Sequence, residues 1–182
     1  TPISPIRRCR TSHRRDIMRV LGIDPGTVVL GYGVVDGGRS TVLVECGVVT
    51  ASPRSPIEHR LSTLFDGICR VIESHHPDEV AIEEPFAGVN VRSAFMVGRA
   101  QALSILAAAR AGVPVAYYSP AEVKRQVSGY GRGDKNQVRA MVMLQLGLKE
   151  LNEPLDATDA LAVALCHLQA RHAESRLLQG PR

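Results

Sequence analysis

Aromatic residues are scarce in this chain of 182 residues, which contains three Phe, four Tyr and no Trp. RNA-binding domains that stack bases on a sheet need several exposed aromatic side chains, so that class is not expected. Long apolar runs are also lacking, since no stretch approaches the roughly 20 residues that a transmembrane helix requires. The four cysteines, Cys9, Cys46, Cys69 and Cys166, form no C-x-x-C pair. This spacing argues against a zinc site or a disulfide framework and indicates a reducing, cytoplasmic location.

Positive charge is distributed unevenly along the chain. The formal net charge is +4, and residues 1–17 account for all of it with five arginines and one aspartate. The rest of the chain is therefore neutral, although residues 90–140 hold eight basic side chains and two acidic ones. A neutral domain with such a segregated basic stretch can present a positive face to phosphate groups.

Apolar periodicity and turn residues indicate one domain with two irregular ends. Residues 1–17 are expected to be a disordered basic extension, with a DNA-binding arm as the alternative. Residues 18–170 form the predicted domain, and residues 171–182 are expected to be a flexible tail. The predicted strands cover residues 19–24, 31–35, 41–50, 79–83 and 113–118; one helix begins at Pro56, and others cover residues 93–110, 120–127, 135–146 and 156–170. This order predicts an α/β fold with a five-stranded mixed sheet, its three antiparallel strands first and parallel strands after them, flanked by helices on both faces.

Four carboxylates, Asp24, Glu83, Asp156 and Asp159, lie where predicted elements begin or end. Asp24 ends the first strand and Glu83 the fourth, so the two acids lie side by side if these strands are neighbours. Asp156 and Asp159 open the last helix and share one of its faces. Each acid has an ordinary alternative: Asp24 as a turn residue, Glu83 as a solvated strand end, Asp156 as a helix N-cap.

Acids that gather at one place repel each other unless a cation neutralises them. Hard divalent ions such as Mg²⁺ and Mn²⁺ prefer oxygen ligands and keep several waters. Two such ions, about 3.5–4 Å apart, can activate a water and stabilise the leaving oxygen of a phosphodiester. The four acids therefore predict a site for two Mg²⁺ ions, with Mn²⁺ as a substitute, that hydrolyses phosphodiesters.

Five motifs give these acids a family context: GIDPG, GYGVV, AIEEPF, GYGRGDKNQV and DATDALAVA follow one another in this order. With them, residues 19–167 resemble the RuvC family of Holliday junction resolvases, in the RNase H-like superfamily. The resemblance implies a homodimeric endonuclease of recombination and repair that makes paired symmetric nicks in four-way DNA junctions, leaving 5′-phosphate and 3′-hydroxyl ends. It assigns metal binding and catalysis to Asp24, Glu83, Asp156 and Asp159. It also implies a branch-migration partner of the RuvA–RuvB type.

The resemblance and the charge pattern indicate residues for DNA contact: Phe86, Lys124, Arg125, Arg132 and Lys135. Lys124 and Lys135 fall where RuvC-like proteins carry basic residues near the scissile strand, and a lysine there can stabilise developing negative charge. Phe86 matches a family phenylalanine that would wedge or stack at the crossover. The alternatives are solvated surface positions for the cations and an ordinary core position for Phe86.

Three further expectations concern packing. The resemblance implies that the Ala-rich helix over residues 93–110 forms a twofold dimer interface in addition to its core contacts, and its small residues allow close packing on a twin helix. Gly26, Gly31 and Gly33 are expected either to leave room for DNA backbone beside Asp24 or to serve turn geometry. His167 is expected on the surface of the last helix.

Three other functions compete with this interpretation. An actin-like or sugar-kinase ATPase shares the RNase H-like core, but it needs two such domains, and this chain has room for one. A related nuclease that acts on RNA or on other branched DNA stays open, because a fold does not fix a function. A structural junction-binding protein is disfavoured, because carboxylates at a DNA face weaken affinity unless metal neutralises them.

Overall fold

The computed structural model describes residues 17–84, 91–129 and 135–179 of the chain. The strands are β1 (Met18–Asp24), β2 (Val29–Gly37), β3 (Thr41–Thr50), β4 (Glu79–Glu83) and β5 (Val115–Tyr118). The helices are α1 (Ile57–His75), α2 (Val91–Ala111), α3 (Pro120–Ser128), α4 (Lys135–Gln145) and α5 (Leu155–Gln179). Within the described ranges, no helix is long and apolar enough to cross a membrane.

The five strands form one sheet in the order β3-β2-β1-β4-β5. β1, β2 and β3 pair in antiparallel fashion, whereas β4 pairs with β1 and β5 pairs with β4 in parallel. A short turn suffices for the antiparallel strands, while the parallel pair β4–β5 needs a crossover, which α2 supplies. The predicted mixed sheet is therefore confirmed.

One face of the sheet packs against α1 and α2 through large aliphatic side chains. Leu21 and Ile23 of β1 point to this face and are completely buried with Leu64 and Ile68 of α1. Side chains alternate along a strand, so the next residue of β1, Asp24, points to the opposite face. The side chain of Asp24 therefore points to the side of the sheet that α5 covers.

Helix α5 packs on that opposite face and is itself covered by α3 and α4. Between residues 157 and 168 every side chain except Asp159 is buried, so this part of the helix is enclosed on all sides. The surface position predicted for His167 is wrong, since this side chain is 2% exposed. Helical periodicity alone could not reveal that a second layer of helices covers the outer side of α5.

Glycines on the strands allow α5 to lie close to the sheet. A Cβ at Gly22, Gly31 or Gly33 would collide with atoms of α5, and at Gly31 the obstacle is the backbone carbonyl of Asp156. The expectation that Gly31 and Gly33 serve DNA or a turn is therefore wrong, because they make room for this helix. Gly26 does serve the turn after β1, where a Cβ would collide with the chain three residues later.

The last helix is longer than its periodicity predicts. The pattern ends at Ala170, but α5 continues to Gln179, and residues 171–178 are exposed. The reason lies in the sequence, because nothing before the Gly-Pro pair at residues 180–181 interrupts a helix. Most of the predicted flexible tail is therefore helical.

Candidate active site

The first acid of the site, Asp24, is the last residue of β1. Pro25 follows it and cannot donate to the sheet, which ends the strand at this point. Asp24 is partly buried on the α5 side of the sheet. The strand thus places a carboxylate at its carboxyl end, where the chain leaves the core.

The second acid, Glu83, ends the neighbouring parallel strand β4. The register pairs Ile23 with Ile82, so Asp24 and Glu83 lie side by side at the carboxyl ends of two adjacent strands, as the sequence predicted. Glu84 behaves differently, because its side chain is exposed and its N–H donates to the carbonyl of Tyr118 at 2.8 Å.

The remaining two acids lie at the start of α5, within its first turns. The helix begins at Leu155, so Asp156 is inside the first turn and not at the N-cap position. Asp156 and Asp159 are both partly buried. Carboxylates are favoured at this end by the helix dipole. The close approach at Gly31 holds this end of the helix over the sheet, beside Asp24.

Three of these acids and two lysines surround one cleft of about 210 Å³. Its lining residues are Asp24, Glu83, Pro120, Val123, Lys124, Lys135, Val138, Asp159 and Ala162. Lys135 Nζ lies 3.4 Å from Asp159 Oδ2, while the lysine remains 68% exposed. Asp156 does not line the cleft, but its charge acts on Asp24. The structure therefore gathers the four predicted acids and both predicted lysines at one end of the sheet.

Burial and mutual repulsion make the two strand-end acids hard to ionise. Burial raises the pKa of Asp24 to about 7, and the charges of Asp159 and Asp156 act in the same direction. Burial, then Asp24 and Asp159, likewise raise the pKa of Glu83 to about 7. Lys135 opposes both shifts, and Lys124 opposes that of Glu83. Two lysines therefore do not compensate for the gathered negative charge.

The donor atoms of this cleft fit a hard divalent cation. Within the described ranges, no three Asp, Glu, His or Cys side chains form a ready-made set of metal ligands. The cleft is nevertheless lined by three carboxylates, and Mg²⁺ characteristically takes one or two carboxylates and fills its other positions with water or substrate phosphate. A cation would also offset the burial and the mutual repulsion that raise the pKa of Asp24 and Glu83.

Among the other predicted DNA contacts, only Arg125 lies in the part of the chain that the structure describes. Arg125 is exposed on α3 and is not a lining residue, whereas its neighbour Lys124 is. Phe86 and Arg132 lie outside the described residues. The apolar wall formed by Val123 and Val138 was missed, because in the sequence these valines carry only the signal of helix core positions.

The fold and the cleft together define a class of protein. The mixed sheet in this strand order, covered by helices on both faces, is the RNase H-like fold, and the cleft at one end of it is lined by three acids. Residues 20–167 match the family model described as "Crossover junction endodeoxyribonuclease RuvC". The chain belongs to the RuvC family.

Known relatives agree with this assignment. RuvC of Dehalococcoides mccartyi is 46% identical over 164 residues, which cover 90% of this chain and 98% of the relative. RuvC of Chloroflexus aggregans is 49% identical over 152 residues, covering 82% and 92%. A solved structure described as T. thermophilus RuvC in complex with Holliday junction substrate has a TM-score of 0.79 and 40% identity, covering 86% of this chain and 96% of that one. The predicted family and fold are confirmed.

Proposed function

We propose that this chain is a crossover junction endodeoxyribonuclease, a resolvase that nicks two opposed strands of a four-way DNA junction. The observation that carries the proposal is the cleft that Asp24, Glu83 and Asp159 share with Lys124 and Lys135. Carboxylates can hold cations there while lysines contact phosphate, which together suit a phosphodiester substrate. Family membership supports the same activity, because the matched relatives carry this name.

The four acids, Asp24, Glu83, Asp156 and Asp159, are proposed to hold two divalent cations, Mg²⁺ or Mn²⁺. When bound, such ions supply Lewis acidity and lower the pKa of water. In the hydrolysis, a water oxygen adds to phosphorus and the bond between phosphorus and O3′ breaks. The leaving O3′ gains a proton as the water loses one, so the products are a 5′-phosphate and a 3′-hydroxyl.

The lysines and arginines are proposed to bind DNA. Lys124 on α3 and Lys135 at the start of α4 approach the cleft from the layer outside α5. An ammonium group near the scissile phosphate stabilises the charge that develops there. Arg125, exposed on α3, would contact flanking phosphates, and Phe86 and Arg132 keep their predicted roles at the junction.

A twofold dimer is proposed to supply the second active site that paired nicks require. One side of α2 forms an open apolar groove of about 480 Å³, lined by Val91, Ala94, Phe95, Gly98, Arg99 and Ala102. Phe95 is 70% exposed in the single chain. Burying such a stripe against a second copy removes apolar surface from water. A branch-migration complex of the RuvA–RuvB type is the expected further partner.

One assay tests the function. The protein is incubated with a labelled four-way junction, a linear duplex of the same sequence and an RNA–DNA hybrid, each with EDTA, Mg²⁺ or Mn²⁺. Paired nicks in the junction alone, and only with metal, are the expected result. Cleavage of the hybrid, or tight junction binding without any cleavage, would contradict the proposal.

A further inference from the structure

His167 is a buried polar residue whose two ring nitrogens both have partners. Nε2 lies 2.7 Å from Glu79 Oε2, and Nδ1 lies 2.8 Å from the hydroxyl of Tyr118. The rings of Tyr118 and His167 also meet edge to face, with their centroids 5.7 Å apart. The imidazole therefore joins three elements: α5, the first residue of β4 and the last residue of β5.

Chemistry gives these hydrogen bonds a direction. The Glu79 carboxylate accepts, so Nε2 carries the proton, and Nδ1 then accepts from the hydroxyl of Tyr118. Burial lowers the pKa of His167, which favours the neutral ring that this arrangement needs. Burial also raises the pKa of Tyr118 to about 12, so its hydroxyl keeps its proton. Arg171 lies 3.3 Å from the other oxygen of Glu79 and completes the chain.

The hydrogen bond between His167 and Glu79 lies away from the cleft on both elements that carry its acids. Along β4, Glu79 and Glu83 lie on the same face of the strand, about 13 Å apart at 3.3 Å per residue. Along α5, His167 lies eight residues from Asp159, which is about 12 Å at 1.5 Å per residue. Strand and helix are thus joined directly by this bond, and Glu83 and Asp159 face the cleft about 12–13 Å further along each element.

Tyr118 extends the same connection to β5. It pairs in register with Glu83, and its carbonyl accepts the N–H of Glu84 at 2.8 Å. Its hydroxyl at the same time holds α5 through His167. A shift of α5 along the sheet would therefore break both bonds of the imidazole and move Asp159 relative to Glu83.

We propose that His167 is a positioning residue, which fixes α5 against β4 and β5 and thereby sets the separation of Asp159 from Glu83. This inference deepens the proposed function and rests on it, since the cation site is where the separation matters. A distant mutation that misplaces a site by about an ångström can change activity about 100-fold.

The test compares the Mn²⁺ requirement of variants in the full-length protein. His167→Phe removes both hydrogen bonds, Tyr118→Phe removes one, and Glu79→Gln keeps an acceptor for Nε2–H. The readouts are the Mn²⁺ concentration for a half-maximal rise in melting temperature, single-turnover junction cleavage, and junction binding in EDTA. We expect His167→Phe to require at least about tenfold more Mn²⁺ than wild type and Tyr118→Phe about threefold more. The requirement of Glu79→Gln should stay within about twofold of wild type. Junction binding in EDTA should stay unchanged.

Leu168→Ala is the matched control. This neighbour of His167 is equally buried on α5, but it packs over Gly37 of β2. It should lower the melting temperature and leave the Mn²⁺ requirement unchanged. The proposal would be overturned if Leu168→Ala and His167→Phe raised the Mn²⁺ requirement equally. If His167→Phe does not fold, Tyr118→Phe decides, and an unchanged Mn²⁺ requirement in that variant would overturn the proposal. Wild-type protein that binds Mn²⁺ but leaves the junction uncut would overturn the proposed function instead, while the melting data would still test His167.

Discussion

The two faces of the sheet hold their helices in different ways. On the face toward α1 and α2, large side chains such as Leu21 and Ile82 are completely buried among other aliphatic residues. On the face toward α5, Gly22 and Gly31 bring strand backbone against helix backbone. Side chains can adjust their rotamers, whereas two backbones in contact cannot yield without moving an element. The first face therefore supplies stability, and the second also fixes the positions of the acids.

The largest effect is expected from Asp24→Asn, which alters the α5 face without changing its shape. The variant should lose cleavage of the four-way junction by about 10³-fold or more, because a lost cation contact removes several kcal/mol of transition-state stabilisation. Junction binding should persist, which gel shift in EDTA checks. Glu84→Gln is the control, since Glu84 is exposed and does not line the cleft. An Asp24→Asn protein that still cuts at more than a tenth of the wild-type rate would contradict the assignment.

A second comparison places one methyl group on each face. Gly31→Ala forces a Cβ against the backbone carbonyl of Asp156, so we expect a loss of about 1–3 kcal/mol in unfolding free energy. Cleavage should fall as well, by up to about 100-fold, because an ångström of misplacement is enough for that.

Gly67→Ala is the matched variant on the α1 face, where the atoms nearest to the added Cβ belong to the side chain of Val49. Alanine inside a helix gains up to about 1 kcal/mol over glycine, which offsets the crowding. Urea denaturation and single-turnover cleavage measure both variants. Equal losses of activity in Gly31→Ala and Gly67→Ala would show that the two faces do not differ in the way described.

The same difference explains what the sequence could and could not predict. Asp24 and Glu83 were predictable because each follows an apolar run and ends a strand, and parallel neighbours bring such ends together. The role of Gly31 was not predictable, because a glycine in a sequence suggests a turn, and nothing in the sequence shows that α5 packs against this one. The prediction of a surface position for His167 was wrong for a related reason. Its partners, Glu79 and Tyr118, are distant in sequence, and a single histidine in an apolar helix gives no sign of them.

On the stabilising face, Ile68→Ala should separate stability from chemistry. Ile68 is completely buried in the core between the sheet and α1, so the truncation should cost about 2–5 kcal/mol of unfolding free energy. Junction cleavage at a temperature where the variant stays folded should remain within about twofold of wild type, since distant sites act independently. A tenfold loss of cleavage in folded Ile68→Ala protein would mean that this face also positions the acids.

The last effect is a stability gain, and it has the opposite sign from the loss of activity at the same residue. In metal-free protein the pKa of Asp24 is raised to about 7 from an ordinary value of 3.8, mainly by burial. The unfolded chain releases this proton near pH 4 and the folded chain near pH 7, so stability falls as pH rises through that window and stays reduced above it. Asp24→Asn removes the titrating group. Its melting temperature in EDTA should therefore exceed that of wild type at pH 8. The difference should be roughly 2–4 °C for each kcal/mol of unfolding free energy that the buried charge costs wild type, and it should shrink toward pH 4.

Asp66→Asn provides the comparison on the other face of the sheet, because Asp66 is exposed on α1. Its melting temperature should follow that of wild type at both pH values.

With saturating Mn²⁺ the order of wild type and Asp24→Asn should reverse, since the cation stabilises only the folded protein that can bind it. Wild type then melts above Asp24→Asn at pH 8. A gain for Asp24→Asn that is the same at pH 4 and pH 8, with and without Mn²⁺, would mean that packing and not gathered charge sets the effect. The acids of the α5 face are thus expected to cost stability in the absence of the cation and to add it in its presence.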